Sequence, residues 1–202
     1  MTRIALDGAA VGHGPAAALP PVTLDARSGA VTVVATEGGQ RPTVLSLVAS
    51  GRMAVDAGTV EAPRKRIALI DTPTVAEHSD DVRVAAVVRE ELALAGRHGT
   101  RRELERLGLA DWARRPFGAL PGVDRLRLLI ELALQRRGVD ALVVTSPERH
   151  GGDPAVWFRY LRGVAARGVT VLVVTDHATR DALPDIPAPG PDALPLFDSP
   201  VS

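Results

Sequence analysis

The chain has 202 residues, no cysteine, and equal totals of 24 basic (Lys and Arg) and 24 acidic residues, so its formal net charge is zero. Zero net charge argues against nucleic-acid binding, and the lack of cysteine excludes disulfides, thiolate metal sites and a cysteine nucleophile. The length suits one domain with a substantial core, or one domain with an inserted lobe.

The first residues carry no basic-then-apolar export segment, and no apolar run approaches the roughly 20 residues that span a bilayer. We therefore expect a cytoplasmic protein, and any association with a membrane would go through a partner.

Short β-rich runs alternate with helical patterns along the chain. The runs occupy residues 3–6, 22–25, 31–35, 67–70, 141–145 and 169–175. The last two are rich in valine and leucine, as expected of strands buried on both faces, whereas the early ones are more polar. This pattern predicts an α/β fold with a mainly parallel sheet and antiparallel strands at its edge.

Residues 76–118 carry helical patterns only. Thr100 and Glu103 have the spacing of a capping box and predict the start of a short helix. The apolar positions at helical spacing before it are Val84, Val87, Val88 and Leu92. We interpret this stretch as a helical lobe inserted in the sheet.

The domain is expected to cover residues 1–183. Six prolines fall in residues 184–202, which predicts an irregular tail.

A glycine-containing loop at residues 35–43, with the sequence ATEGGQRPT, joins an apolar strand to a helical run. Strand, glycine loop and helix in this order are typical of a P-loop, whose backbone N–H groups cradle phosphates. The P-loop lysine is absent because the only lysine of the chain is Lys65, and Arg41 holds its place. The alternative interpretation is an ordinary strand-to-helix turn.

The linear order of several such segments, over residues 4–183, resembles the ATP-binding cassettes of ABC transporters. Four later segments carry the resemblance: residues 56–60 match the Gly-Thr-Val turn, 120–127 the signature and its basic helix, 141–147 the second nucleotide motif, and 171–177 the strand that ends in the switch histidine. The resemblance implies a P-loop NTPase-like fold in which the parallel sheet carries antiparallel edge strands and an inserted helical lobe.

Each segment departs from the family pattern at a residue that the chemistry requires. Pro42 replaces the hydroxyl residue that ligates magnesium, and Thr145 and Ser146 replace the metal-associated aspartate and the catalytic glutamate. Neither hydroxyl can act as a general base near neutral pH. In the signature, Pro121 supplies no donor and Asp124 adds a negative charge. No residue is therefore assigned a catalytic role, and no metal site is proposed.

The residues that still match the family pattern predict a site that binds ATP weakly and does not require magnesium. The residues expected to contact the nucleotide are Gly38, Gly39, Gln40, Arg41 and Thr43, with His13 as the ring nearest to an adenine-stacking position. His177 follows the expected switch position by one residue and is a further candidate.

Other charged residues are interpreted as structural. The arginines of the helix around residues 120–134 are taken as a solvated face rather than a phosphate site; they are Arg125, Arg127, Arg136 and Arg137. Several histidines lack metal-ligand spacing and are taken as surface or loop residues; they are His78, His98, His150 and His177.

Taken together, these features predict a degenerate cassette with weak or no ATP hydrolysis. It would act as a binding or regulatory subunit of a membrane transporter-like complex, with an integral membrane subunit as partner. It would form a homodimer or a heterodimer with another cassette. One alternative is a divergent working ATPase, in which Arg41, Thr43 and His177 are enough to bind and hydrolyse ATP. The other is an interaction protein that retains only the fold.

Overall fold

Two sheets and a helical lobe make up the computed structural model, which describes residues 1–183. The strands are β1 (Ile4–Val11), β2 (Leu19–Ala26), β3 (Val31–Ala35), β4 (Ala57–Glu61), β5 (Ile67–Ile70), β6 (Ala141–Thr145) and β7 (Thr170–Thr175). The α-helices are α1 (Arg41–Ala49), α2 (Val84–Leu94), α3 (Thr100–Arg106), α4 (Gly122–Ala133), α5 (Pro154–Ala166) and α6 (His177–Ala182). The tail predicted for residues 184–202 lies outside the described residues.

The larger sheet is parallel, with strand order β3-β7-β6-β5. Every residue of β5, β6 and β7 is buried, because helices cover both faces of the sheet. Successive side chains point to opposite faces, so Leu142 packs in the core with α2, α4 and α5, whereas Val143 packs in the core with α1. None of the helices in residues 1–183 combines the length and apolarity needed to cross a bilayer.

The smaller sheet is antiparallel, with strand order β2-β1-β4, and packs against α1. The predicted α/β fold is confirmed, although the antiparallel strands form their own sheet instead of extending the parallel one. Residues 57–60, expected within a turn, belong to β4, so that expectation is wrong. The strand is possible because Gly58 has no side chain where it approaches the backbone of Gly8.

The close approach of Gly58 to β1 gives a stability prediction. A Cβ on Gly58 would lie 2.3 Å from the carbonyl carbon and oxygen of Gly8, whereas a Cβ on Gly8 would meet nothing within 4 Å. Both glycines have positive φ, so Ala strains the backbone at either site. We expect Gly58→Ala to lower the free energy of unfolding by about 1–3 kcal/mol more than Gly8→Ala, measured by urea denaturation. Equal losses of unfolding free energy in the two variants would contradict a steric clash at Gly58.

In the helical lobe, the apolar face of α2 is buried against α3 and α4, as Val84, Val88 and Leu92 show. The predicted capping box is wrong. Thr100 is the first residue of α3 and makes no capping hydrogen bond, and the N-cap is Gly99, whose φ of 105° lets the chain turn into the helix. Glu103 instead accepts hydrogen bonds from Arg106 and Gln135.

Candidate nucleotide groove and its central aspartate

The carboxyl ends of the parallel strands meet at one edge of the sheet, where an open groove of about 420 Å³ lies. The loop after β3 forms one wall, Ser146 after β6 lies in the middle, and Asp176 follows β7. Crevices at this edge of an open α/β sheet are the usual place for a ligand. This groove is the candidate site.

The groove brings together only part of the residues predicted for ATP. Gly38, Gly39 and Thr43 line it, whereas Gln40 and Arg41 do not. The backbone N–H groups of residues 38–40 donate no hydrogen bond within the described part of the chain. They therefore retain the capacity to bind an anion.

Arg41 lies over its own loop. Its Nη1 is 3.4 Å from the carbonyl oxygen of Glu37, and its backbone N–H closes the turn by donating to Gly38 O at 2.9 Å. His13 is exposed in the connection between β1 and β2 and does not line the groove. His177 is also exposed, as the first residue of α6.

The groove is acidic where a phosphate would lie. Three carboxylates line it, those of Glu37, Glu148 and Asp176, and its one arginine is Arg149. Arg149 is already engaged, since Nη1 lies 3.1 Å from Glu77 Oε1. Glu148, which the sequence analysis did not single out, accepts a hydrogen bond of 2.8 Å from Thr175. An anionic ligand would therefore meet net negative charge.

Thr145, where the sequence resemblance places the metal-associated aspartate, is buried in a chain of hydroxyl groups. Its Oγ1 lies 2.7 Å from Ser46 Oγ and 2.8 Å from Thr72 Oγ1. All three side chains are almost fully inaccessible to solvent. Each hydroxyl is satisfied by its neighbours, so the position is neutral and closed to the groove.

Asp71, directly after β5, joins two arginines and a histidine. Arg125 donates to both of its carboxylate oxygens, at 2.8 and 3.1 Å. Arg149 Nη2 lies 3.0 Å from Oδ1 and donates to the Asp71 carbonyl at 2.7 Å. His150 Nε2 approaches Oδ2 to 2.7 Å, in a contact whose angle falls outside that of a hydrogen bond. We call these four residues the Asp71 cluster.

The interpretation of Arg125 as a solvated residue is wrong. Its side chain is 2% exposed, donates to Asp80 at 2.6 Å, and stacks its guanidinium 4.2 Å from the centre of the Phe117 ring. Arg136 is also corrected, because it pairs with Glu91. Both arginines can be largely buried because their side-chain stems are apolar. Carboxylates of the lobe and of the residue after β5 compensate the charges of their guanidinium groups.

Two histidines are also more enclosed than the surface assignment predicts. His150 belongs to the Asp71 cluster. His78 Nε2 lies 3.1 Å from Glu91 Oε1, and its ring packs edge-on against Phe117. His78 thus contacts α2 of the helical lobe, whereas His150 joins the turn after β6 to the residue after β5.

Burial raises the pKa of the Asp71 carboxyl, but the contacts with His150, Arg125 and Arg149 outweigh burial and leave the pKa well below its usual range. The carboxylate therefore stays charged at neutral pH. Sequence reasoning missed this residue, although a polar side chain directly after a buried parallel strand is a signal for it.

The start of α4, where the sequence resemblance places the signature, packs against the backbone of the turn after β6. A Cβ on Gly122 would lie 2.6 Å from the carbonyl oxygen of Gly151 and 2.7 Å from that of His150. Only glycine therefore fits at this position without a shift of the backbone.

No group of three or more His, Asp or Glu in residues 1–183 is arranged to hold a metal ion.

The Asp71 cluster predicts a pH-dependent stability. Asp71→Asn leaves Arg125 buried without its main carboxylate, so we expect a loss of about 3–5 kcal/mol at pH 7, measured by denaturant unfolding. Because the pKa is lowered in the folded state, this contribution is present above the unfolded pKa of about 3.9 and is lost as pH falls below it. The difference from wild type should therefore shrink below about pH 4.

Asp80→Asn is the matched control. It removes the other carboxylate on Arg125, but its side chain is 70% exposed, so we expect a loss below about 1 kcal/mol. Equal losses for the two variants, or a difference for Asp71→Asn that is constant down to pH 2, would contradict the assigned role of Asp71.

The fold is similar to that of solved ATP-binding cassettes. A nucleotide-free ATP-binding cassette from an ABC transporter matches with a TM-score of 0.63 at 19% identity, covering 88% of this chain and 82% of that chain. A chain from an inward-facing ABC transporter matches with a TM-score of 0.64 at 18% identity, covering 91% and 77%. The ATP-binding subunit of another ABC transporter matches with a TM-score of 0.61 at 14% identity, covering 87% and 80%.

No protein-family model matches the sequence, and no curated protein matches it. At these identities the structural likeness establishes the cassette fold of the chain. Function has to be argued from its own residues.

Proposed function

We propose that this chain is a cassette-fold subunit with weak or no ATP hydrolysis, which acts as a binding or regulatory component of a membrane transporter-like complex. The observation that carries the proposal is the neutral, buried Thr145 at the place where a hydrolytic cassette needs a metal-associated carboxylate. The fold supports a role beside an integral membrane subunit, on the cytoplasmic side, as a homodimer or with another cassette.

Hydrolysis also needs a positively charged clamp on the transferred phosphoryl group and a metal ion that neutralises its charge. Arg41 lies over its own loop, Pro42 has no hydroxyl, and the carboxylates of the groove repel the phosphates. Any ATP would be held by the free amides of residues 38–40, with Thr43 beside them. Such binding is weak and gains little from magnesium.

We expect the purified chain to hydrolyse ATP no faster than a buffer blank, in a phosphate-release assay with magnesium. The double variant Thr145→Asp with Ser146→Glu should remain inactive while Pro42 denies the metal a ligand.

Isothermal titration should show weak ATP binding that changes little when magnesium is removed. Tight binding that requires magnesium would overturn the proposal.

The alternative is a divergent working ATPase, and Glu148 is the observation that favours it. Its carboxylate lines the groove two residues after Ser146 and is held by Thr175. A carboxylate so placed could act as a general base. Steady turnover that is lost in Glu148→Gln but retained in Glu37→Gln would support this alternative. A blank rate in the wild-type chain would exclude it.

We place the docking surface for the membrane subunit on the helical lobe, residues 76–118, and the loop that enters it. A groove of about 310 Å³ lies between this loop and α2. Two large apolar side chains line it and face solvent: Val75 is 46% exposed and Leu94 is 62% exposed. Charged residues around them, such as Glu90 and Arg136, supply a polar rim of the kind found at interfaces.

Leu94→Asp should reduce the integral membrane proteins retained by the tagged chain from detergent-solubilised membranes by at least about tenfold, because it puts a charge into an apolar contact. Val156→Asp is the matched control, since Val156 is 42% exposed on α5 and does not line the groove. Both variants should keep the wild-type melting temperature. Equal retention by Leu94→Asp and wild type would argue against this docking surface.

A further inference from the structure

A second groove, of about 350 Å³, lies on the helical lobe and shares no lining residue with the groove at the sheet edge. The loop of residues 97–99 and helix α3 form one side. The end of α4 and Arg167, which follows α5, form the other. We call it the lobe groove. It also shares no lining residue with the groove of Val75 and Leu94, on which the proposed partner contact rests.

The lobe groove carries more positive than negative charge. Its basic residues are Arg97, His98, Arg102, Arg106 and Arg167, and its acidic residues are Glu103 and Glu131. The two carboxylates are already occupied. Glu103 pairs with Arg106 at 2.6 Å, and Glu131 pairs with Arg167 at 2.7 Å.

Arg97 and Arg102 form no ion pair with any residue that the structure describes. The four arginines and two glutamates of the groove therefore leave a surplus of two positive charges. This surplus matches the roughly −1.5 to −2 charge of a phosphoryl group near neutral pH, whereas one carboxylate supplies only −1. Guanidinium groups also match phosphate oxygens in geometry.

A buried acceptor in the lobe groove lacks a donor. The amide nitrogen of Gln135 donates to Glu103 at 2.7 Å, which fixes the amide's orientation, but its Oε1 is buried without a hydrogen-bond partner. Such an orphaned acceptor is costly unless something donates to it. Monohydrogen phosphate carries both the two negative charges and one O–H donor.

From this combination of charge and hydrogen-bonding capacity, we propose that the lobe groove binds a phosphoryl group, with Arg97 and Arg102 as its main charged contacts and Gln135 as the acceptor of a ligand hydroxyl. No Phe, Tyr or Trp lines the groove, so the ligand is recognised through its phosphoryl end. A soluble phosphomonoester and a lipid phosphomonoester headgroup both present a phosphoryl group, which keeps one P–O–H donor as the monoanion and none as the dianion.

The test is a titration of the full chain with inorganic phosphate, followed by NMR of the Gly99 backbone amide and the Gln135 side-chain amide. We expect saturable shifts, and about tenfold weaker binding in Arg97→Ala and in Arg102→Ala. Arg101→Ala is the matched control, because Arg101 is 93% exposed, pairs with Glu105 and does not line the groove. Equal weakening by all three variants, or shifts that do not saturate, would overturn the proposal.

Two further titrations separate the sources of the phosphoryl group. Glycerol phosphate represents the soluble source, and vesicles of phosphatidylcholine with or without phosphatidic acid represent the lipid source. Binding of either one that depends on Arg102 but not on Arg101 supports the site and names its source. Succinate is the comparison dianion. If succinate binds as tightly as phosphate, or if neither phosphomonoester binds, the assignment to a phosphoryl group is wrong.

Discussion

The buried charge of Asp71 is the interaction on which the arrangement of the sheet edge and the lobe depends. Its carboxylate follows β5, yet its partners come from α4 and from the turn after β6. An ion pair removed from water is stable only when its partners are held in good geometry. The cluster therefore couples three separate segments, and Arg125 extends the coupling to the lobe through Asp80 and Phe117.

The groove beside this cluster combines a glycine loop with an acidic lining. Its glycine loop still presents free amides, because that property belongs to the backbone. The side chains do not add to this capacity, because hydroxyls are buried inside the sheet and carboxylates line the groove. The backbone and the side chains of the groove therefore favour ligands of opposite charge.

The fold could be predicted from the sequence because strand periodicity is a local property, as the boundaries of β3, β5 and β6 show. The chemistry of the groove could be predicted only in part. Pro42 has no hydroxyl and Thr145 has no carboxylate, so the sequence alone indicates that the usual magnesium ligands are missing. The partners of Arg125 could not be predicted. They depend on contacts over 54 residues, and an arginine on an amphipathic helix is exposed unless such a distant carboxylate compensates its burial. The capping box was wrong for a related reason, since Glu103 accepts a hydrogen bond from Gln135, which follows α4 and is 32 residues away in the sequence.

The hydroxyl chain of Ser46, Thr145 and Thr72 has a consequence for the empty groove. A buried carboxylate at the centre of the sheet would carry an uncompensated charge whenever a cation was absent, and cation binding would relieve that cost. The three hydroxyls carry no charge and satisfy one another, so this cost does not arise. Loading and emptying the groove then change the electrostatic free energy of the sheet very little. The centre of the sheet therefore needs no bound cation to keep its electrostatic free energy low.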